Sequence, residues 1–532
     1  MKQILIIVVV VFITLLATLV SSAETTIKPG TIKGVVLDQA TRSPVVNANV
    51  IIIGTEMGAA TNLEGRFSVG GLPPGTYHIE ATALGYIGGI KSEIAVLPAR
   101  SVTVEFLLEP TAIAGDAVVV RSGLFRLKPD LVTSSRSLRF EEIRRAPGSV
   151  EDVQRAIQAL PGVTSSNDQD NEIIVRGGSP SENLLVIDGV EIDNINHFAE
   201  QSTSGGPIGM VNPEFLREVT FASGGFSARY GDKLSSVLDL TLREGDRDQF
   251  SGQFELSMAG IGANFEGGIA GGRGSYLVSY RKSYLDLLKG PVGLTAVPHY
   301  YDSQFKAVYD LSPVSKLSMT GLYGRNWVSI NAEDEDAWSR GAESVESLGY
   351  TLALGVKWSK VWGWGYSDVT VARTQLNFDH DVFELEGNLS RRIFRNISTE
   401  TTDQLHINWT GRVGKTDELS AGISLKPITF SHDMWFEQDT TVYDFNDDGI
   451  ADTTHIQPEW NVEESLTSLK YGGFIQYRWR PHNNLALVSG VRLDGFQYAK
   501  QTTISPRLSF SWDFLPQWTF KLAYGIYRQS HP

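Results

Sequence analysis

Cysteine is absent from the 532 residues of this chain. Its absence excludes a disulfide framework, a zinc ribbon, an iron–sulfur cluster, a thiol nucleophile and a lipoprotein anchor. Positive charge is also scarce, since 46 Lys and Arg stand against 61 Asp and Glu and leave a net charge of −15. A nucleic-acid-binding surface needs the opposite balance, so no nucleic-acid partner is expected.

Long apolar runs are missing everywhere except at the N-terminus. There, Lys2 precedes an apolar run that ends at Val20, and the small residues Ser21-Ser22-Ala23 follow. This pattern predicts a secretory signal peptide over residues 1–23. An uncleaved membrane anchor is the alternative, because the run is slightly long for a signal. A mature chain without further apolar runs can span a membrane only as a closed β-barrel.

Tryptophan is absent from the first 326 residues, and all 11 Trp lie between Trp327 and Trp518. Trp and Tyr gather at the membrane–water interface, where one part of the ring is apolar and another is wet. The distribution therefore favours a membrane-embedded second half. A Trp-rich soluble carbohydrate-binding region is the alternative.

Alternation of apolar and polar residues supports the membrane interpretation. In one strand the apolar face is formed by Tyr350, Leu352, Leu354, Val356 and Trp358. The same period recurs over residues 506–514 and 518–526. Runs of about 9–11 residues cross a bilayer when tilted, with the apolar face toward lipid and the polar face toward a lumen. The pattern predicts about 13 such strands over residues 250–532.

Two smaller units precede this region. Residues 30–109 show short strands with turn residues at intervals typical of a β-sandwich. Residues 131–245 mix strands with a predicted helix over 149–160, for which Ser149 is the expected N-cap. The linker over residues 111–130 carries three consecutive valines, which form either an edge strand for another chain or the last strand of the sandwich.

Four motifs within residues 131–245 resemble the plug domain of TonB-dependent outer-membrane receptors. In chain order they are Leu160-Pro161-Gly162-Val163, Ile174-Val175-Arg176-Gly177-Gly178, Val186-Ile187-Asp188-Gly189-Val190 and Ala228-Arg229-Tyr230-Gly231. Residues 30–109 resemble a carboxypeptidase-regulatory-like domain. The whole arrangement is similar to SusC-related receptors of Bacteroidetes-like bacteria.

The resemblance implies a mainly β fold, with an N-terminal β-sandwich, an α+β plug and an antiparallel transmembrane β-barrel. About 13 strands of the family's 22 are present, so we expect an incomplete, C-shaped wall and a C-terminally truncated fragment. The plug would sit inside the barrel, and substrate would bind between the plug apex and the outward loops.

The resemblance also implies a TonB box in the linker and names the plug-motif residues. The box is Val118, Val119, Val120 and Arg121, which would pair with a sheet edge of TonB, itself working with ExbB and ExbD. The plug-motif residues are Arg176, Gly177, Asp188, Gly189, Arg229, Tyr230 and Gly231. We expect Arg176 and Arg229 to pair with carboxylates of the barrel wall, because an unpaired buried charge is costly. Asp188 and Gly189 are interpreted as a structural turn rather than a substrate contact.

An acidic loop over residues 431–464, with ten acidic residues and no Lys or Arg, contains the opening of a calcium-loop motif. The candidate calcium ligands are Asp444, Asn446, Asp448 and Asp452. The twelfth position is His455 instead of Glu, and a solvated acidic loop is the alternative. No other cofactor is expected.

The resemblance implies a non-enzyme of the bacterial outer membrane that imports a scarce nutrient through energy supplied by TonB, with siderophores, cobalamin, glycans and peptides as the candidate substrate classes. Its further partners would be outer-membrane lipid and a SusD-like surface lipoprotein. A passive or signalling barrel is the first alternative. The second alternative is a zinc carboxypeptidase, suggested only by the spacing of His197 and Glu200 with His299 farther on.

Overall fold

The computed structural model describes residues 29–530 apart from 97, 99–100, 112–134, 139, 150–151, 258–259, 285–296, 331–342, 387–388, 444–452 and 516–517. The described residues form a mainly β fold, as predicted, with a β-sandwich, a plug and a large antiparallel sheet. Within these ranges, no helix combines the length and the apolar character that a membrane crossing requires.

The sandwich consists of two four-stranded sheets, with strand orders β4-β1-β8-β6 and β3-β2-β5-β7. Its core contains Ile32, Val36, Phe67 and Phe106, and the two phenylalanine rings lie 6.2 Å apart. Alternate residues of each strand point inward, which is why the sequence shows a period of two. The strands are β1 (Gly30–Asp38), β2 (Asn49–Ile52), β3 (Gly58–Ala60), β4 (Arg66–Leu72), β5 (Gly75–Thr82), β6 (Tyr86–Ile87), β7 (Gly89–Val96) and β8 (Ser101–Pro110).

The plug is built around a five-stranded sheet of order β13-β12-β17-β16-β9. Two short pairs, β10–β11 and β14–β15, and two short helices flank this sheet. Every residue of β12 is buried, because the strand has neighbours on both sides and on both faces. The elements are β9 (Ser135–Leu138), α1 (Phe140–Arg145), α2 (Val153–Gln158), β10 (Val163–Thr164), β11 (Ile174–Val175), β12 (Asn183–Ile187), β13 (Val190–Ile192), β14 (Asn196–His197), β15 (Ile208–Gly209), β16 (Leu216–Ala222) and β17 (Ser236–Leu242).

Helix α2 is shorter than the predicted helix over residues 149–160. Asp152 is its N-cap, with a carboxylate oxygen that accepts from the backbone N–H groups of Gln154 (2.7 Å) and Arg155 (3.1 Å). The Ser149 hydroxyl instead donates to the carbonyl of Ile143 at 2.8 Å. The expectation that Ser149 caps the helix was therefore wrong. A charged carboxylate at Asp152 satisfies two free N–H groups at once, which a hydroxyl three residues earlier cannot do.

The large sheet, called the wall below, has 13 antiparallel strands, which confirms the predicted number. Its strands follow chain order from β18 to β32, except that β27 (Asp439–Tyr443) and β28 (Thr453–Gln457) form a separate hairpin. The strands are β18 (Ser251–Ser257), β19 (Gly260–Ile269), β20 (Gly274–Lys282), β21 (His299–Ser312), β22 (Ser315–Ile330), β23 (Glu343–Trp362), β24 (Gly365–Glu386), β25 (Leu389–Val413), β26 (Asp417–Phe436), β29 (Trp460–His482), β30 (Leu485–Phe496), β31 (Gln501–Leu515) and β32 (Trp518–Gly525).

Among the described strands the wall is an open sheet, since β18 and β32 occupy the two ends of its strand order. Short connections such as the one between β23 and β24 lie at one rim, and the long connections lie at the other. Short turns face the periplasm and long loops face outward in barrels of this kind, which fixes the orientation of the wall. The rim with short turns is called the inner rim, and the opposite one the outer rim.

The apolar core of the plug continues into the wall. Leu277, Leu322, Ala353 and Ala372 of the wall belong to the same buried cluster as the plug strands. At Gly355 an added Cβ would stand 2.3 Å from Cγ2 of Val190 in the plug. Position 355 of the wall therefore has to lack a side chain, because the plug packs directly against it.

Candidate functional site

Three acidic residues of the plug pair with lysines on the inward face of the wall. The Nζ–carboxylate distances are 2.9 Å for Lys306 and Asp188, 2.8 Å for Lys426 and Glu191, and 3.1 Å for Lys470 and Asp232. The plug is thus held to the wall by separable ion pairs.

These lysines change the titration of the plug acids. Burial favours the neutral form of a carboxyl group, but Lys426 outweighs it and lowers the pKa of Glu191 to about 2. At Asp188, burial again favours the neutral carboxyl group, but the charge of Lys306 outweighs burial and lowers the pKa of Asp188. Both plug acids are therefore charged at neutral pH and remain attached to their lysines.

Asp188 and Gly189 form the two-residue turn between β12 and β13. Their φ angles are 51° and 94°, which suits Gly and is tolerated by Asp. The Asp188 carboxylate accepts from the backbone N–H of Leu242 at 3.1 Å and from the Thr320 hydroxyl of the wall at 3.1 Å. The residue therefore shapes the turn and also joins the plug to the wall.

Arg176 and Gly177 lie on the plug surface at the end of β11, with φ angles of 51° and 79°. The Arg176 guanidinium donates to the Ser223 hydroxyl of the plug at 3.5 Å. We expected this arginine to pair with a wall carboxylate, and that pairing stays a prediction. The described hydrogen bond of Arg176, to Ser223, lies within the plug.

The motif of Arg229, Tyr230 and Gly231 lies in a turn that two wall arginines hold by its carbonyl groups. Arg492 donates to the carbonyl oxygens of Ala228 (3.3 Å) and Arg229 (2.8 Å). The Tyr230 hydroxyl donates to Asp239 at 2.9 Å within the plug. Gly231 needs to lack a side chain, because an added Cβ would stand 1.8 Å from Nε of Arg492.

Arg507 holds the same turn one strand farther along the wall. It donates to the carbonyl oxygens of Phe226 (3.2 Å), Ser227 and Tyr230 (2.7 Å). Its guanidinium also lies over the Phe226 ring, 5.0 Å from the centroid. Around Arg229, the described bonds run from wall arginines to carbonyl oxygens of the plug backbone. The expected pairing of the Arg229 side chain with a wall carboxylate stays a prediction.

Sequence reasoning missed the five wall cations Lys306, Lys426, Lys470, Arg492 and Arg507. A signal was available, because each stands on the face of its strand opposite the one that carries the large apolar residues. A cation at such a position needs an anion or a set of carbonyl groups in the lumen.

A cavity of about 280 Å³ lies between the apex of the plug and the outer half of the wall. Phe198, Glu200 and Gln201 line it from the plug. The wall contributes polar and aromatic residues from its inward face, among them Asn326, Phe378 and His380. No Lys or Arg is among the described residues that line this upper cavity, so it offers hydrogen bonds and ring faces without a positive charge.

The apex below this cavity is anchored at His197. Its Nε2 lies 3.0 Å from Oδ2 of the wall residue Asp302, and its ring lies 4.6 Å from that of Tyr300. Arg281 also binds Asp302 and donates to the carbonyl of Gly209 at 2.6 Å. His197 thus joins plug to wall in this structure. Across the described ranges, no group of three His, Asp or Glu side chains could hold a metal ion.

A second cavity of about 400 Å³ lies on the other side of the plug, between plug, sandwich and wall. Glu105 of the sandwich bridges Arg42 (3.1 Å) and the plug residue Arg217 (2.8 Å) at its edge. Burial opposes the charge, but Arg217 and Arg42 lower the pKa of Glu105 to about 2. The guanidinium of Arg42 also lies 5.1 Å from the ring centroid of Tyr366 in the wall.

The sandwich is attached to the inner rim as well. Glu109 pairs with Arg478 at 3.0 Å and with Arg480 at 3.1 Å, and Asp38 pairs with Arg412. The sandwich therefore closes the lower cavity from the periplasmic side. The plug lies between two cavities, one toward each side of the membrane.

Two predicted sites lie outside the described residues. These are the TonB-box residues Val118, Val119, Val120 and Arg121, and the candidate calcium ligands Asp444, Asn446, Asp448 and Asp452. The assignments of both sites stay predictions.

Three family models match the chain in the order of its three structural units. A carboxypeptidase regulatory-like domain matches residues 31–109, a TonB-dependent receptor plug domain matches residues 128–236, and a TonB-dependent receptor-like β-barrel matches residues 298–527. The chain belongs to the TonB-dependent receptors. It is accordingly a protein of the bacterial outer membrane.

Curated relatives agree with this assignment. The TonB-dependent receptor SusC of Bacteroides thetaiotaomicron is 29% identical over 231 residues, and the TonB-dependent transporter Oar of Myxococcus xanthus is 23% identical over 229 residues. Each match covers 41% of this receptor and 21% of the relative. The chain thus matches about a fifth of the length of these relatives.

Solved structures share the fold. The outer-membrane transporter YddB from Escherichia coli superimposes with a TM-score of 0.50 at 15% identity, over 75% of this receptor and 61% of YddB. The siderophore receptor PirA from Acinetobacter baumannii gives a TM-score of 0.51 at 15% identity, over 73% and 60% of the two chains.

Proposed function

We propose that this receptor imports a scarce nutrient across the outer membrane with energy supplied through TonB, which works with ExbB and ExbD. The observation that carries the proposal is the plug between two cavities, held to the wall by ion pairs and carbonyl contacts. Such contacts can be broken and remade one by one when the plug is pulled.

The substrate would bind in the upper cavity, between the plug apex and the outer half of the wall. Siderophores, cobalamin, glycans and peptides are the candidate classes. The described lining combines aromatic rings with amide and carboxylate groups and has no Lys or Arg, which disfavours a strongly anionic ligand. A SusD-like surface lipoprotein is a proposed partner at the outer rim.

The test of energy coupling is removal of residues 118–121 from the full chain. We expect uptake of the transported compound to stop while its binding to the receptor is retained, because the linker would lose its pairing with TonB. Uptake would be measured with labelled ferric siderophore, cobalamin, oligosaccharide and peptide in turn. Unchanged uptake after the deletion would support the alternative, a passive or signalling barrel.

A pair of point variants gives a sharper version of this test. Val119→Pro removes one backbone N–H and should abolish pairing with a sheet edge. Val119→Ile keeps both the backbone donor and the β-propensity, and it serves as the matched control. Equal uptake by the two variants would contradict the assignment of Val119 to the TonB box.

Calcium binding in the acidic outer loop is a further proposal. The Asp444→Asn/Asp448→Asn variant should lose calcium binding in a titration of the purified receptor, because two of the four carboxylate or amide ligands would lose their charge. Glu463→Gln/Glu464→Gln, in the same loop but outside the motif, is the control. Binding that is equally weak in all three proteins would leave only a solvated acidic loop.

A further inference from the structure

One row of residues crosses the outward face of the wall near the outer rim. Lys282, Tyr301, Arg325 and Tyr350 are successive cross-strand partners on β20, β21, β22 and β23. Their neighbours in sequence point inward, since Arg281 donates to the plug carbonyl of Gly209. By alternation, the row itself faces outward, where Lys282 and Arg325 are exposed.

An aromatic cluster surrounds the two cations. The ring centroids of Tyr280 and Tyr301 lie 6.3 Å apart, those of Tyr301 and Tyr323 lie 6.2 Å apart, and those of Tyr323 and Tyr350 lie 6.5 Å apart. Just beyond the row, Trp327 stacks on His299 at 5.1 Å. Tyr, Trp and His rings in this arrangement mark the level of lipid headgroups in a membrane-spanning wall.

The outward residues toward the inner rim are apolar. On β22 and β23 they include Leu317, Met319, Leu354 and Val356, all of which are exposed. These side chains form the surface that meets acyl chains. The row of Lys282 and Arg325 therefore lies at the outer edge of the apolar band, where acyl chains end and headgroups begin.

Lys282 and Arg325 have no ion-pair partner among the residues that the structure describes. No Asp or Glu stands at an outward position of β20 to β23 within two residues of the row. A third outward cation, Arg373 on β24, differs in this respect, because it pairs with Asp403 at 2.7 Å. Lys282 and Arg325 thus present two uncompensated positive charges at headgroup level.

We propose that Lys282 and Arg325 bind the phosphate group of a phosphorylated lipid in the outer leaflet. The two residues are separated by one strand, so their Cα atoms lie about 10 Å apart, and both long side chains reach a single phosphate between them. Tyr301 occupies the strand between the two cations, at the same level of the wall. The acyl chains of the same lipid cover the apolar band below.

The test measures binding of diphosphorylated lipid A to the purified full-length receptor in neutral detergent, by native mass spectrometry. The wild type should bind it, and Lys282→Gln/Arg325→Gln should bind at least about ten-fold more weakly, since two cations that attract an anionic headgroup are lost. Arg373→Gln is the matched control and should change binding less than two-fold. Lys282→Arg/Arg325→Lys should restore it, because both charges return.

Two further probes identify the source of the phosphate. Lipid A stripped of both phosphates should bind wild type and variants equally weakly, and inorganic phosphate at millimolar concentration should not displace the lipid. Displacement by inorganic phosphate would overturn the lipid assignment. Equal binding of lipid A by the wild type and a folded Lys282→Gln/Arg325→Gln variant, with folding judged by heat-dependent gel migration, would overturn the site.

Discussion

The sandwich and the wall both alternate large apolar residues with small or polar ones, but they turn these residues in opposite directions. Ile32, Val36 and Phe67 point into the sandwich and are buried. In the wall, Leu354 is 36% exposed and Ile423 is 52% exposed on the outward face. The period of two is the same in both units, so the solvent that surrounds each unit decides which face carries the apolar residues.

The plug, like the sandwich, has a buried apolar core. A substitution in this core has the largest expected effect on stability. Phe215→Ala, at a fully buried plug position, should lower the free energy of unfolding of the plug by about 3–5 kcal/mol because it leaves a cavity. Phe520→Ala in the wall, at a position 50% exposed, should have a much smaller effect. Hydrogen exchange of plug amides measures the free energy of unfolding of the plug in both variants. Equal decreases in the two variants would contradict the distinction between plug core and wall surface.

A charge placed at an exposed leucine separates water-facing from lipid-facing surface. Leu354→Arg in the wall should cost about 2–4 kcal/mol, because the charge would enter the apolar band of the membrane. Leu63→Arg in the sandwich, at a position 83% exposed, should change stability by less than about 0.5 kcal/mol. Urea titrations of the receptor in lipid vesicles would compare them, and a similar tolerance at both positions would contradict the lipid-facing assignment.

Acid should loosen the sandwich from the plug. Folding lowers the pKa of Glu105 from 4.5 to about 2, so its ion pairs contribute fully above about pH 5 and are lost as pH falls toward 2. The corresponding free energy is at most about 3 kcal/mol. Limited proteolysis between pH 5 and pH 3 should show progressive release of the sandwich. Glu105→Gln should remove this pH dependence, and a variant that retained it would show that another group is responsible.

The smallest expected effect concerns the contact of the plug turn with the wall. Gly231→Ala should destabilise the docked plug by about 1–3 kcal/mol, because the new methyl group would displace Arg492 from the carbonyl oxygens that it binds. Gly363→Ala, at the inner rim with no atom within 4 Å of the added Cβ, is the matched control. Proteolytic sensitivity of the plug reports on both, and the same result for the two variants would argue against a steric role for Gly231.

Much of the architecture could be predicted from sequence because it follows from local patterns. The period of two in residues 350–358 reports the two faces of a strand, and the dipeptide of Asp188 and Gly189 predicts a tight turn. The contacts across the plug–wall interface could not be predicted in this way. Lys426 and Glu191 are 235 residues apart, and nothing local to either residue indicates its partner. The N-cap was misjudged for a different reason, since Ser149 and Asp152 are both good caps and the surrounding structure selects Asp152.

The length of β25 has a consequence for what approaches the cell from outside. Its 25 residues extend about 80 Å, whereas about 10 residues suffice to cross the bilayer. Strands β24, β26 and β29 have 22, 20 and 23 residues. Together with β25 they extend the sheet well beyond the lipid surface. A bacteriophage or an antibody that approaches from the medium would reach the outer ends of these strands before it reached the membrane. Those ends are therefore the part of the receptor most accessible to a large external particle.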